Sequence, residues 1–433
     1  MTQKQSGFNL FAQLESIDRV LAEEAALEHS GKADRKSFGA RYQALANTLQ
    51  LDTRLIAMLG AVICIWLFFD VFSGGLFLSP RNLWNLSVQT SVTALLATGM
   101  VLIIVSRNID LSVGSLLAFL GILGGFAQTE LLPLEGTHTW WLSILLMVIV
   151  GCLAGALQGW LIAAFTIPAF VVTLGGLMFW RGAGWLFTQG RTVTPLDTTY
   201  SDYGSGFIGE TYSWIVGVVG FVCLVAISFW KRRRRMSLDF EVKPIAVEVA
   251  ILAISAVLIA AFVWTMNSYD LPRSEIGRGI PAPVLITIIV VCVMIYIANM
   301  TRFGRYIYGF GGNPEAAELS GINTRHVVIL SFMLIGGLTA IGAVISTARL
   351  NAAPLSIGQL LELQVIAAAV IGGTSLSGGI GTILGALIGA VLMQSLQNGM
   401  VLLGVQSAPQ QMIMAGVLIF AVWFDVIYQK RRR

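Results

Sequence analysis

The sequence predicts an all-α polytopic membrane protein with about 12 transmembrane spans, within a range of roughly 10–12. Three observations carry this. Residues of the apolar set make up 56% of the 433 positions, charged residues make up only 12%, and mean hydropathy is +0.79. Apolar runs of about 20 residues, the length that crosses a bilayer, recur from residue 55 to the end. So little charge excludes a soluble domain of this size.

Residues 1–50 are polar and carry no secretory signal pattern. Phe11, Leu14, Ile17, Leu21 and Ala25 recur at helical spacing, with Glu15, Asp18, Glu23 and Glu24 between them. The pattern predicts an amphipathic helix, whose mixed charge argues against a membrane-surface anchor and suits one that packs on a partner or merely leads into the membrane domain. Residues 51–430 form the transmembrane domain. Its spans are expected at 55–72, 86–106, 111–128, 141–165, 169–189, 213–230, 245–265, 282–300, 326–348, 363–376, 382–403 and 410–427. The tenth is short and runs into the glycine-rich GGTSLSGGIG of Gly372–Gly381. A half-helix or re-entrant segment packed inside the protein fits such a span.

Charge orients the chain. Lys231 to Arg235 follow the sixth span, Arg302, Arg305 and Arg325 follow the eighth, and Lys430 to Arg433 end the sequence. With twelve spans and both termini in the cytoplasm, all three clusters fall inside, as the positive-inside rule requires.

One internal similarity is visible. Asp110–Leu117 reads DLSVGSLL and Pro354–Leu361 reads PLSIGQLL. The spans around them match in number, giving inverted repeats at about 84–190 and 326–428. By this count Ser112 lies at the cytoplasmic end of the third span and Ser356 at the outer mouth before the tenth. Gly151, Gly155 and Gly159, and again Gly381, Gly385 and Gly389, form small-residue stripes. Close helix packing is the expected use, with a pathway lining the lesser alternative.

The polar stretch 301–323, TRFGRYIYGFGGNPEAAELSGIN, holds a self-contained helix signal. Asn313 can N-cap, Pro314 suits the first helical position, Glu315 and Glu318 favour the N-terminal end, and Gly321 can close the helix. It reads either as a capped loop between spans or as a helix held at the cytoplasmic membrane surface for a partner to grip.

Catalytic and energy-coupling chemistry is largely missing. There is no G-x-x-x-x-G-K-[ST] loop for a nucleotide phosphate and no H-E-x-x-H pair. Cys64, Cys152, Cys223 and Cys292 lie apart, as do His29, His138 and His326, so no disulfide, metal site or bound cofactor is expected. Asp70, Asp110, Glu362 and Asp425 sit at or near span ends, and Glu248 one turn in, which leaves no midplane carboxylate for ion coupling. Arg181 is the clearest buried charge and is expected to snorkel outward beside Trp180 and Trp185 rather than meet substrate. Arg107, Asn108 and Asp110 form a polar knot. It is either a turn in which Asp110 caps the next helix and Arg107 neutralises it, or part of a gate lined by Ser112 and Gly114.

Four motifs in order resemble the permease subunits of bacterial ATP-binding cassette sugar importers. They are RNIDLSVGS at Arg107–Ser115, PAFVVTLGGLMFWRG at Pro168–Gly182, FGRYIYGFGGNPEAAELSGIN at Phe303–Asn323 and VIGGTSLSGGIGTILGALIGA at Val370–Ala390. The likeness runs from about residue 50 to the end, and within that branched group it is greatest to D-xylose permeases, which share an added span near 245–265. The resemblance implies a type II-like importer permease fold and a homodimer in the bacterial inner membrane. It also implies a cytoplasmic ATPase, a periplasmic sugar-binding protein and a monosaccharide substrate, with no nucleic acid involved. Under it the ATPase-coupling residues are Arg302, Gly304, Arg305, Asn313, Pro314, Glu315, Ala316, Ala317, Glu318 and Gly321. The pathway or gate residues are Asp110, Ser112, Gly114, Thr173, Gly175, Ser356 and Gly358. The fifty-residue N-terminal extension is longer than the family leads one to expect. Two rivals remain: an ion-coupled secondary sugar carrier, and a non-transporting membrane scaffold or receptor component. Arabinose, ribose or glucose could replace xylose.

Overall fold

A computed structural model describes residues 53–432 apart from 241, 243, 272 and 275. The amphipathic helix expected near residues 11–25 lies outside the described residues. The chain divides into units Met1–Ile56 and Ala57–Arg433, and the architecture below is that of the second.

Its helices are α1 (Thr53–Phe72), α2 (Pro80–Val105), α3 (Val113–Phe126), α4 (Thr139–Phe165), α5 (Ala169–Thr188), α6 (Thr198–Ser205), α7 (Glu210–Ser237) and α8 (Ile245–Asn267). They continue as α9 (Ala282–Met300), α10 (Arg302–Gly312), α11 (Pro314–Leu319), α12 (Thr324–Leu350), α13 (Leu361–Ile371), α14 (Ile383–Leu402) and α15 (Ser407–Arg432). Ten of them are long and apolar enough to cross a membrane, α3 counting with a π-turn that extends it to Leu131. The expected tenth span is an 11-residue helix, α13, which rises only about 16 Å and falls well short of a bilayer. The expected start of the second span moves back to Pro80, and the sixth extends from Glu210 to Ser237.

α2 is the centre of the body, with 89% of its apolar window buried, while the same measure for α8 is 0%. Such a difference separates a helix that packs on protein from one that faces lipid. The buried hydroxyls of α2 bond back to its own carbonyls, Thr90 to Leu86 and Thr98 to Leu95, each at 2.7 Å. Each is thereby satisfied without water in an apolar surround.

α4 and α12 pack closest. A β-carbon on Gly155 would collide with the Phe332 carbonyl, one on Gly159 would fall 2.8 Å from the Ile329 α-carbon, and Gly151 and Gly336 face each other backbone to backbone. Gly385 and Gly389 of α14 lie against the backbone of α13 in the same way, whereas Gly381 sits in the preceding loop against Val105 and Thr374. The first stripe and the helical part of the second thus serve helix approach. α7 and α8 form a peripheral hairpin joined by the Arg232–Glu248 ion pair at 2.9 Å and by Gly217 seated on Val263.

Candidate functional site

The stretch after α9 folds into two consecutive surface helices, each with its own cap. The Thr301 hydroxyl accepts from Gly304 N at 3.1 Å to start α10. Gly304 lies so close to the carbonyls of Ile297 and Ala298 that no side chain fits there. Asn313 Oδ1 accepts from Ala316 N at 3.1 Å to start α11, with Pro314 in the first turn. α11 ends at Gly321, whose φ of +80° is the left-handed geometry glycine tolerates. Gly321 N bonds Glu318 O at 2.9 Å and Ile322 N bonds Ala317 O at 3.1 Å, the paired closure that satisfies the last carbonyls. Asn323 then caps α12 through His326 N at 3.1 Å.

Arg302, Arg305, Glu315, Ala316 and Glu318 are exposed while Ala317 is buried, so α11 is anchored by one side and bare on the other. Leu319 at its tip is 91% exposed. Glu318 turns back to accept from the Thr324 hydroxyl at 3.0 Å, which leaves Glu315 as the outward carboxylate of the pair. Replacing Asn313 by alanine removes the α11 cap and should cost about 1 kcal/mol locally. Amide exchange at residues 316–319 should speed up several-fold while exchange in α12 stays unchanged; equal protection in both proteins would show that the cap does not hold α11.

The α10–α11 pair is tied to the end of α2. Arg107 donates from Nε to Gly311 O at 2.7 Å and from Nη2 to Gly312 O at 2.8 Å. Gly379 N in the glycine-rich loop donates to Val105 O at 2.9 Å. Tyr308 donates its hydroxyl to Gly381 O at 2.8 Å; burial pushes that phenol above its usual range, so it keeps its proton. Arg107 is therefore spent on the carbonyls that close α10. The expected neutralisation of Asp110 by Arg107 does not occur.

Beyond Arg107 the chain runs into the protein. Asp110, 2% exposed, accepts from Ser112 N at 2.8 Å and from its hydroxyl at 2.7 Å. This is a turn bonded to itself rather than the expected side-chain cap of α3. Gln158 of α4 joins Ser112 at 3.0 Å, and Thr173 of α5 donates to Ile109 O at 3.2 Å. The two L-S-[VI]-G segments then touch. A β-carbon on Gly114 would collide with the Gly358 carbonyl and the Glu362 carboxylate, and one on Gly358, at φ +70°, would collide with the Gly114 carbonyl.

The structure thus brings Asp110, Ser112, Gly114, Thr173 and Gly358 together, and it corrects several expectations. The segments that carry Ser112 and Ser356 lie against each other at the Gly114–Gly358 contact, with Ser112 fully buried and Ser356 exposed. Gly175 points into open space, and Gly176 is the residue pressed onto Gln158 and Ser112. Arg181 does not snorkel; its Nη1 donates to the carbonyls of Leu355 and Ile357. Glu362 lies at a helix end, as expected, but that end is buried. It is 6% exposed in the first turn of α13, and its Oε2 has no hydrogen-bond partner. Sequence reasoning passed over Gln158 and Leu319 as well. A lone amide eight residues from the end of an apolar run, and one leucine among many, give no local signal.

The family model described as branched-chain amino acid transport system / permease component matches residues 82–422. The chain belongs to this permease family. The xylose transport system permease protein of Haemophilus influenzae is 38% identical over 386 residues, covering 88% of this chain and 98% of that one. The xylose transport system permease protein of Escherichia coli K12 is 37% identical over 382 residues, 88% and 94% respectively. The ribose import permease protein of Escherichia coli K12 is 32% identical over 351 residues, 81% and 87%. No solved structure matches. This permease is accordingly a multi-pass membrane transport component of the sugar importer kind and not an enzyme.

Proposed function

We propose that this permease is the channel subunit of an ATP-binding cassette importer that moves a monosaccharide, D-xylose first, across the bacterial inner membrane. In this reading a homodimer forms the channel, a separate ATPase supplies energy from the α10–α11 face, and a periplasmic sugar-binding protein delivers substrate to the opposite face. Both termini lie in the cytoplasm. Arg302, Gly304, Arg305 and Asn313–Gly321 form the coupling element. Asp110, Ser112, Gly114, Thr173, Gly175, Ser356 and Gly358 belong to the pathway or gate of two inverted repeats.

The observation that carries the substrate is the extent of the match. Proteins named as xylose permeases align over 88% of this chain, against 81% for the ribose permease. The bare face of α11, with Leu319 91% exposed, supports a protein partner there, since an apolar side chain held out from a fully capped helix gains most by burial against another surface.

The test is uptake into proteoliposomes holding the permease with its ATPase and binding protein. Labelled xylose should accumulate only with ATP, at least about tenfold above ribose, arabinose, glucose or leucine. Leucine is included because the family description names branched-chain amino acids. A second reading, an ion-coupled carrier, is favoured by the buried, unpartnered Oε2 of Glu362. Uptake driven by an ion gradient without ATP would replace the first reading with the second.

A further inference from the structure

The two long helices that precede the L-S-[VI]-G segments end alike. Arg107 and Asn351 each stand three residues before the matched octapeptides that begin at Asp110 and Pro354. Each is a non-glycine residue in the left-handed region, at φ +62° and +47°, a conformation that persists only where surrounding contacts hold it. Each side chain, or the backbone beside it, grips a short surface helix. Arg107 holds the last carbonyls of α10 at 2.7 and 2.8 Å. Asn351 Oδ1 accepts from Leu196 N at 3.0 Å and Ser201 Oγ at 3.2 Å, seating α6, whose Gly204 is pressed against Ala348 and Arg349. α12 separates the two grips, with α11 leading into its start and α6 at its end, about 40 Å apart by helix rise.

From both grips the chain runs at once into the same buried place. On one side lie Ile109, Asp110 and Ser112, bonded to Thr173 and Gln158. On the other lie Leu355 and Ile357, bonded to Arg181. Gly114 and Gly358 then meet with no room for a β-carbon.

We propose that Arg107 is a positioning residue that transmits displacement of the α10–α11 pair to the Gly114–Gly358 crossing. Asn351 does the same for α6 at the other end. The chemistry suits the task. A planar guanidinium forked over two carbonyls fixes direction as well as distance, which a single flexible donor does not. The carbonyls it takes are the orphan acceptors at the negative end of α10, so the grip is charge-assisted. Only two residues separate Arg107 from Asp110, and the Thr173 hydroxyl, which also reaches Ala169 O at 2.9 Å, lies 3.2 Å from the intervening Ile109 carbonyl, so little slack is available to absorb movement.

The inference rests on the importer reading, and the test separates the two. Arg107→Lys keeps the charge and loses the fork; Arg107→Gly keeps the left-handed backbone and loses the grip altogether. Each is assembled with the ATPase and binding protein in proteoliposomes, and xylose uptake is measured per ATP hydrolysed. Wild-type uptake that needs no ATP would end the importer reading whatever the variants do. With that reading in place, both variants should bind the ATPase and hydrolyse ATP within about twofold of wild type, while uptake per ATP falls about tenfold or more. Spin labels at positions 306 and 359, exposed on α10 and beside Gly358, give an independent readout. Their separation should change between nucleotide-free and nucleotide-trapped wild type, and that change should vanish in Arg107→Lys. If a variant loses thermal stability, ATPase binding and uptake in proportion, so that uptake per ATP is unaltered, Arg107 is structural and the proposal is overturned. An unchanged label response in Arg107→Lys overturns it equally.

Discussion

Gly114→Val abolishes transport and destabilises the permease, whereas Gly175→Ala, in the neighbouring motif, leaves both near wild type. A β-carbon at Gly114 meets the Gly358 carbonyl and the Glu362 carboxylate, and the Gly358 backbone cannot rotate away because it is equally close to Gly114. Overpacking that flexible side chains cannot relieve costs about 3 kcal/mol or more. A β-carbon at Gly175 has nothing within 4 Å, so the change there stays within about 0.5 kcal/mol. Thermal unfolding in detergent and uptake at matched protein levels measure both. A Gly114→Val protein that melts and transports like wild type would show that the two segments do not cross where the structure places them.

Glu315→Arg should remove the ATPase from the purified complex and cut uptake at least tenfold, while the permease alone melts as before. Glu315 is exposed on a helix whose backbone is already capped at both ends, so its reversal disturbs inside the permease only the favourable placement of an acid in the first turn of α11, about 0.5 kcal/mol. At an interface, a reversed charge beside an apolar anchor such as Leu319 falls among residues that each control about 2 kcal/mol or more of binding. Glu318→Arg should do less for association, because Glu318 is already engaged with Thr324. Equal ATPase recovery for Glu315→Arg and wild type would remove α11 from the docking surface.

The membrane-spanning character and most span positions were legible in the sequence because hydropathy over twenty residues is an average that no single contact overrides. The α11 signal was equally plain. Asn313, Pro314 and Gly321 act on backbone within three residues of themselves, so their roles are local and visible in one dimension. The buried crossing was not. Asp110 and Glu362 looked like span-end carboxylates because α3 and α13 begin inside the protein, and nothing in a hydropathy profile marks where a helix starts in depth. Arg107 and Arg181 were assigned to the nearest plausible partner, a neighbouring acid and the membrane surface. Their actual acceptors are main-chain carbonyls more than 170 residues away, and a carbonyl leaves no trace in the side-chain alphabet.

The way Arg107 takes hold of α10 has a consequence for how such proteins diversify. It reads no side chain of the surface pair, only the oxygens at 311 and 312, and asks that residue 311 stay small, since Gly311 abuts the Val105 carbonyl and Gly379 N. The outward positions 315, 316 and 319 are under no such demand. In the proposed importer a lineage can therefore rewrite the docking face to suit a different motor, one substitution at a time, without retuning the linkage proposed behind it.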